Sequence, residues 1–322
     1  MSASNVDLLT VGESMLRFSV PAGRLLADAP VFDVHVAGTE SNVAVAVARM
    51  GFKSRWLSRL PDNVLGHRIV DTIAAQGVDC SYVNWSDTER AGVYFVEFGA
   101  SPRPTKVLYD RAPSAARNMD ETTFDLSLVG HAKIIHLTGI TVALSAGCSR
   151  LVETIVDRAN DLKIPIVFDV NYRALLWSYK ECRSTLAPLL SKVDTLIVSK
   201  RDLKAISEIA GDTATAAKEL HQLFGMPRIA ITTGDEGAAG FENGDSVVVP
   251  GYPVEMVDRI GAGDSFAAGV ISGLLERNFM RGLQYGVAMS ALQLTTEGDL
   301  FRLTRKDVLQ LMASESIGKL IR

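Results

Sequence analysis

The sequence predicts a doubly wound α/β fold with a mostly parallel sheet and a small β-lid built from insertions. Three observations lead there. From about residue 130, short continuous apolar runs alternate with helical segments, as they do where parallel strands are covered on both faces. Two stretches distant in sequence, near residues 14–36 and 90–111, each hold extended segments with turn residues between them. The chain has 322 residues, 47% hydrophobic and 22% charged, which suits one large domain over residues 1–322 with a sizeable core.

The elements follow in order. Val6–Val11 is a short buried-strand pattern that stops at Gly12. Residues 14–20 and 31–36 read as short strands around a turn bearing proline and glycine. Alanines and valines from Glu40 to Met50 make a helix closed by Gly51, and Val64 to Gln76 make another closed by Gly77. Trp56–Leu60 reads as a strand between them. Gly92–Phe98 and Lys106–Asp110 form a hairpin whose tip carries Pro102 and Pro104. Further strands fit Ile134–Leu137, Ile164–Phe168, Thr195–Val198 and Arg228–Thr232, and helices over 262–277, 281–297 and 304–314 close the chain.

Bulk properties exclude several classes. A net charge of −4 argues against a general nucleic-acid binder. No apolar run reaches the length of a membrane span, and the first residues lack the basic and apolar regions of a secretory signal. Cys80, Cys148 and Cys182 are odd in number and widely spaced, so reduced thiols in a cytoplasmic protein are expected. His35, His67, His131, His136 and His221 show no ligand spacing and read as surface or satisfied core groups.

The stretch Asp258-Arg-Ile-Gly261-Ala262-Gly263-Asp264-Ser-Phe-Ala-Ala-Gly269 carries the most chemistry. It reads as a tight loop feeding a helix N-terminus, whose free N–H groups hold anions. Gly261 and Gly263 let the backbone approach a phosphate closely. Asp264 is suited to take a proton from an attacking hydroxyl, although an acid at a helix start also serves simply as a favourable charge. Main-chain donors for an anion beside an acid for a proton are the minimal apparatus of phosphoryl transfer to an alcohol. The pattern is neither G-x-G-x-x-G nor a Walker A loop.

Gly38-Thr-Glu-Ser-Asn42-Val-Ala and Asp258-Arg-x-Gly-Ala-Gly-Asp264-x-Phe266-x-x-Gly269, in this order and about 220 residues apart, resemble the two signatures of the ribokinase-like (PfkB) carbohydrate kinases. Further features resemble the members of that family that act on 2-keto-3-deoxygluconate. They are Gly12-Glu13 after the first strand, Tyr94 with Tyr109-x-Arg111, Phe168-Asp-Val-Asn-Tyr-Arg173-x-x-Leu176-Trp177, and Thr296-x-Gly298-Asp299. The resemblance implies an ATP-dependent kinase that phosphorylates the primary hydroxyl of a sugar acid, with ATP and Mg²⁺ required. It implies Asp264 as the base and Gly261, Ala262 and Gly263 as the anion hole. Gly38, Asn42, Tyr94, Tyr109, Arg111, Arg173 and Asp299 are then the sugar-acid side, with Arg111 and Arg173 matched to its carboxylate. Thr233, Gly234 and Gly237, with Gly261 and Gly263, are the nucleotide side. Tyr94 and Tyr109 also read as lid packing, Arg173 as a partner of Asp169, and Gly234–Gly237 as an ordinary turn. The metal ligands stay unassigned, because Ser199-Lys-Arg-Asp202 stands where the family carries Asn-x-x-Glu. A homo-oligomer paired through exposed lid edges is expected. Other readings are a kinase of a neutral sugar, of fructokinase or ribokinase type, a 5-keto-2-deoxygluconokinase, a non-catalytic sugar or nucleotide sensor, and, on rhythm alone, an NAD-dependent oxidoreductase.

Overall fold

The computed structural model describes residues 4–208 and 212–314. The first half runs β1 (Val6–Val11), β2 (Met15–Ser19), β3 (Asp33–Ala37), α1 (Thr39–Arg49), β4 (Ser54–Leu57), β5 (Arg59–Pro61), α2 (Val64–Ala74), β6 (Val78–Asp79), β7 (Asn84–Ser86), β8 (Val93–Glu97) and β9 (Lys106–Asp110). The second half runs β10 (Ala132–Thr138), α3 (Gly139–Leu144), α4 (Ala146–Asp161), β11 (Ile166–Asp169), α5 (Tyr179–Leu190), β12 (Thr195–Ser199), α6 (Thr213–Phe224), β13 (Arg228–Thr232), β14 (Gly237–Glu242), β15 (Asp245–Pro250), α7 (Ala262–Leu275), α8 (Phe279–Gln293) and α9 (Arg305–Ala313).

Among the described residues nine strands form one sheet in the order β15-β14-β13-β12-β11-β10-β1-β4-β6. All neighbours from β13 to β6 pair in parallel. The strand order reverses beside β1, and in such sheets ligands bind beyond the carboxyl ends of the strands at this point. The sequence reading missed β14 and β15, an antiparallel hairpin on the edge. Its turn is the two-residue Asn243-Gly244, both at positive φ, as a primed hairpin turn requires. The expected strand Trp56–Leu60 is split as well. Ser54–Leu57 joins the large sheet, and Arg59–Pro61 pairs with β7 in a separate ribbon.

Helices cover both faces. On one face Leu151, Ile155, Leu186, Leu220 and Phe224 of α4, α5 and α6 pack on Leu9, Ile135, Phe168 and Leu196. On the other, Val43 and Val47 of α1 join Phe266, Ile271, Leu283 and Met289 of α7 and α8. The α7–α8 contact is made by main chain on main chain. A Cβ placed on Gly269 would stand 2.3 Å from Gly286 N, and one on Gly273 would stand 2.2 Å from Gly282 Cα. His136 lies fully buried in β10, and burial pushes its pKa down to about 3, so it is a neutral core group. It is not fully satisfied: Nδ1 lies 3.4 Å from Thr10 Oγ1, and Nε2 has no partner among the described residues.

The second sheet, β3-β2-β8-β9, is drawn from the two distant stretches and is antiparallel except where β2 runs alongside β8. One face carries Met15, Ala37, Tyr94 and Val96 toward Ile260. The other stacks Phe18 on Phe95, with Phe32 edge-on to both. No helix of the described residues is long and apolar enough to cross a membrane.

Candidate active site

Between the small sheet and the carboxyl ends of β1, β10, β11, β12 and β13 lies a cavity of about 730 Å³. Its floor is the start of α7. Gly261 caps this helix in the left-handed region at φ +84°, and a side chain there would run into the Asp299 carbonyl at 2.4 Å. The Ser265 N–H is the first to close back, onto Gly261 O. The preceding N–H groups have no intrahelical partner, and Gly261 and the exposed Gly263 line the cavity.

Asp264 sits on this first turn, 8% exposed and lining the cavity. Asn42 Nδ2 donates to Asp264 Oδ2 at 2.7 Å, while Asn42 Oδ1 accepts from Gly38 N–H at 3.3 Å. The two bonds fix which way the amide faces. Burial raises the Asp264 pKa, opposed by the Asn42 bond and the Arg173 charge. Gly38 lines the cavity too, but its lack of a side chain is demanded by Glu13, whose carbonyl would be 2.2 Å from a Cβ.

Across from Asp264 the turn after β11 supplies Asp169, Asn171 and Arg173. Asn171 sits at φ +39° with its N–H on Asp169 Oδ1 at 2.9 Å. Burial pushes Asp169 up to about 8, and the Asp264 charge pushes the same way, while Arg173 opposes both shifts. At neutral pH Asp169 therefore retains its proton and places no negative charge beside Asp264. Glu40, behind this pair, accepts from Thr138 Oγ1 at 2.6 Å and from Thr141 Oγ1 at 2.5 Å, and burial pushes it up to about 7.

The small sheet makes the opposite wall. Tyr94 and Tyr109 stack with ring centres 5.4 Å apart, and Arg111 lies over the Tyr109 ring at 5.5 Å. Arg111 is not a free cation. Its Nε donates to Glu13 Oε2 at 2.9 Å and its terminal nitrogen closes a second bond there, while Ser114 holds Glu13 Oε1 at 2.5 Å. Among the described residues Arg173 bonds no carboxylate, and it donates to the Tyr172 carbonyl at 3.0 Å. The two guanidinium groups therefore reach the cavity in different electrostatic states.

Asp299 lines the cavity with both oxygens already engaged, by Tyr94 Oη at 2.7 Å and Arg17 at 2.8 Å. Burial pushes it up to about 6 against the pull of Arg17. Arg17, 1% exposed on β2, also donates to Asp258 Oδ2 at 2.6 Å. Sequence reasoning missed Arg17, because an arginine within Met-Leu-Arg-Phe-Ser reads as the polar residue of a half-exposed strand.

Thr233, Gly234 and Gly237 follow β13, whose Thr232 forms the cavity rim, but none of the three lines the cavity. Gly234 faces open space, whereas Gly237 is packed against Val249 and Pro250 of β15. Ala262 is part of the helix start without facing the cavity, unlike Gly261 and Gly263. Ser199, Arg201 and Asp202 line the far end, with Asp202 N–H on Ser199 Oγ at 3.1 Å. Among the described residues no cluster of three or more carboxylates, imidazoles or thiols is arranged to hold a metal ion.

The fold and cavity define an α/β phosphotransferase of the sugar-kinase type. The family model for the pfkB family carbohydrate kinases matches residues 6–305, and the chain belongs to that family. It is 36% identical over 313 residues to the 2-dehydro-3-deoxygalactonokinase of Haloferax volcanii, covering 97% of this chain and 98% of that one. It is 31% identical to the 2-dehydro-3-deoxygluconokinase of Thermoproteus tenax, over 91% and 90% of the two chains. Among solved structures, the 2-dehydro-3-deoxygluconokinase of Thermotoga maritima superposes with a TM-score of 0.92 at 31% identity, covering 96% of this chain and all of that one.

Proposed function

We propose that this enzyme transfers the γ-phosphoryl group of ATP to the primary hydroxyl of a 2-keto-3-deoxy sugar acid, giving the 6-phosphate. The observation that carries the reading is Asp264, a buried carboxylate held by Asn42 on the turn where the free N–H groups of α7 meet the cavity. Asp264 takes the hydroxyl proton. The oxygen so freed attacks the γ-phosphorus, the bond to the bridging oxygen breaks, and ADP leaves. The N–H groups at Gly261, Ala262 and Gly263 stabilise the charge on the transferred group. Arg173 balances the sugar carboxylate at the other end, with Tyr94, Tyr109 and the Glu13-paired Arg111 as the wall against which the sugar chain lies.

A cavity of about 730 Å³ is in the range of small-molecule sites. A magnesium ion would be held chiefly by the triphosphate and water. Bound there, it would neutralise phosphate charge. The adenosine end is assigned to the rim beyond Thr232, toward Thr233 and Gly234.

2-Keto-3-deoxygluconate is the substrate read from the motifs. Its C4 epimer, the galactonate, is the second reading, favoured by the relative at 36% identity. A coupled ADP-release assay comparing both epimers with fructose and ribose tests the proposal, which fails if a neutral sugar has the highest kcat/KM. Asp264→Asn lowers kcat by about 10² to 10⁴, and near-normal turnover refutes the base assignment. Assembly through the small sheet belongs to the same reading, supported by exposed Val31, Phe32 and Leu108, and sedimentation of the enzyme and of Leu108→Glu checks it. The free thiols Cys80, Cys148 and Cys182 suit a cytoplasmic setting.

A further inference from the structure

We propose that Arg17 is a positioning residue for phosphoryl transfer, holding the turn that aims the first N–H groups of α7 and the wall that carries Tyr94. The inference rests on the function proposed above. Its basis is a buried knot of four side chains from distant parts of the chain. Arg17 donates to Asp258 Oδ2 at 2.6 Å and to Asp299 Oδ2 at 2.8 Å. Asp258 in turn accepts from Ile260 N–H at 3.0 Å and from Gly298 N–H at 3.2 Å. Asp299 accepts from Tyr94 Oη at 2.7 Å, and its carbonyl lies where a side chain on Gly261 would be. One guanidinium thus joins the small sheet, the turn entering α7 and the loop after α8.

The chemistry needs the arginine. Asp258 and Asp299 are both 2% exposed, and Arg17 is the cation bonded to each. Two carboxyls bonded to one guanidinium are held close together, and without it burial and mutual repulsion drive a proton onto one of them and the bonds that tie both to β2 are lost. The turn Asp258–Gly261 and the loop Gly298–Asp299 would part. The guanidinium also lies over the Phe98 ring at 5.2 Å, and its Nε is buried with no hydrogen-bond partner among the described residues. Arg17 does not line the cavity. Its influence therefore passes through the backbone it fixes.

A cradle that acts on the transferring group predicts a loss in kcat rather than in KM. Wild type, Arg17→Met, Arg17→Lys and Arg55→Met are to be compared with both sugar-acid epimers and ATP, with turnover counted per folded molecule from near-ultraviolet circular dichroism. Arg55 is the control: it is as buried as Arg17 and paired with Asp79, but lies away from the cavity. The expected result is a fall in kcat of about 10² for Arg17→Met, the size of losing one preorganised donor. KM should change less than about threefold, partial recovery is expected in Arg17→Lys, and Arg55→Met should keep the wild-type kcat. If Arg17→Met does not fold, Asp258→Asn is read instead and should show the same fall. Wild-type kcat in the variant that folds, a loss seen only in KM, or an equal loss in Arg55→Met overturns the inference. A wild-type enzyme inactive on both sugar acids overturns the proposed function instead.

Discussion

Replacing Gly273 by alanine tests how the catalytic helix is positioned. The added Cβ would stand 2.2 Å from both the Cα and N of Gly282. Carbon atoms in contact normally sit about 3.5–4.0 Å apart, so α7 and α8 must separate by about 1 Å or more at this crossing. No rotamer can relieve the clash, because both sides are main chain. Overpacking of this kind costs about 1–3 kcal/mol, while the better helix propensity of alanine returns at most about 1 kcal/mol. The net sign is destabilising, and a chain of this size loses about 2–4 °C for each kcal/mol. Asp264 lies on the same helix, roughly 13 Å along its axis at the standard rise per residue. A displacement near 1 Å at the reacting group costs about 10²-fold in rate. Thermal unfolding and kcat of Gly273→Ala are the measurements. Gly130→Ala is the control, since a Cβ there meets only Leu162 Cδ1 at an ordinary 3.5 Å. A Gly273→Ala protein with wild-type Tm and kcat would show that the glycine contact does not set the position of α7.

The buried acids make stability depend on pH. Burial pushes Glu40 up to about 7 and Asp169 up to about 8. For acids raised above their unfolded values, the stability they contribute is whole near pH 4 and is lost as pH rises through 7 and 8. Urea unfolding should therefore give a lower midpoint at pH 8.5 than at pH 5, and Glu40→Gln should reduce the difference by up to about 3 kcal/mol; an unchanged difference counts against the assignment. Arg173→Ala should raise KM for the sugar acid about tenfold or more, the size of a lost charge-assisted bond, and leave KM for a neutral sugar nearly unchanged. Arg111→Ala should lower Tm as well, because it strands the buried Glu13 carboxylate; an unchanged melting curve would show that pair to be dispensable.

The parallel strands were legible because burial on both faces writes an unbroken apolar run, as in Ile229–Ile231 and Leu196–Val198. The edge hairpin was not, because Ala238, Ala239 and Gly240 are weak strand formers and are held by pairing with β13 and β15. The signal that would have found it was Asn243-Gly244 at the turn. Strand β4 ended early because Ser58 marks the change from one sheet to another, which no local pattern reports. At the cavity, Asp264 and Asn42 were readable as motif residues, and the structure joins them by a 2.7 Å bond. The pairing of Arg111 with Glu13 was invisible, since it links residues 98 apart in the chain. Arg17 escaped for the same reason, as did its pairing with the motif residues Asp258 and Asp299: the contacts cross more than 240 residues. A charged residue in a strand discloses its partner only once the fold brings the partner to it.

The cavity takes its two sides from separately built sheets, and this divides the labour of the molecule. Asp264 and its helix are seated by glycine backbones that admit no added volume. Tyr94, Val107 and Tyr109 stand on a four-stranded piece whose strands pair with one another and not with the large sheet. A new residue at Val107 or Tyr109 reshapes the space offered to the sugar and leaves the proton acceptor where it was. Evolution, or a protein engineer, can retune what is phosphorylated without rebuilding the machinery that does the phosphorylating.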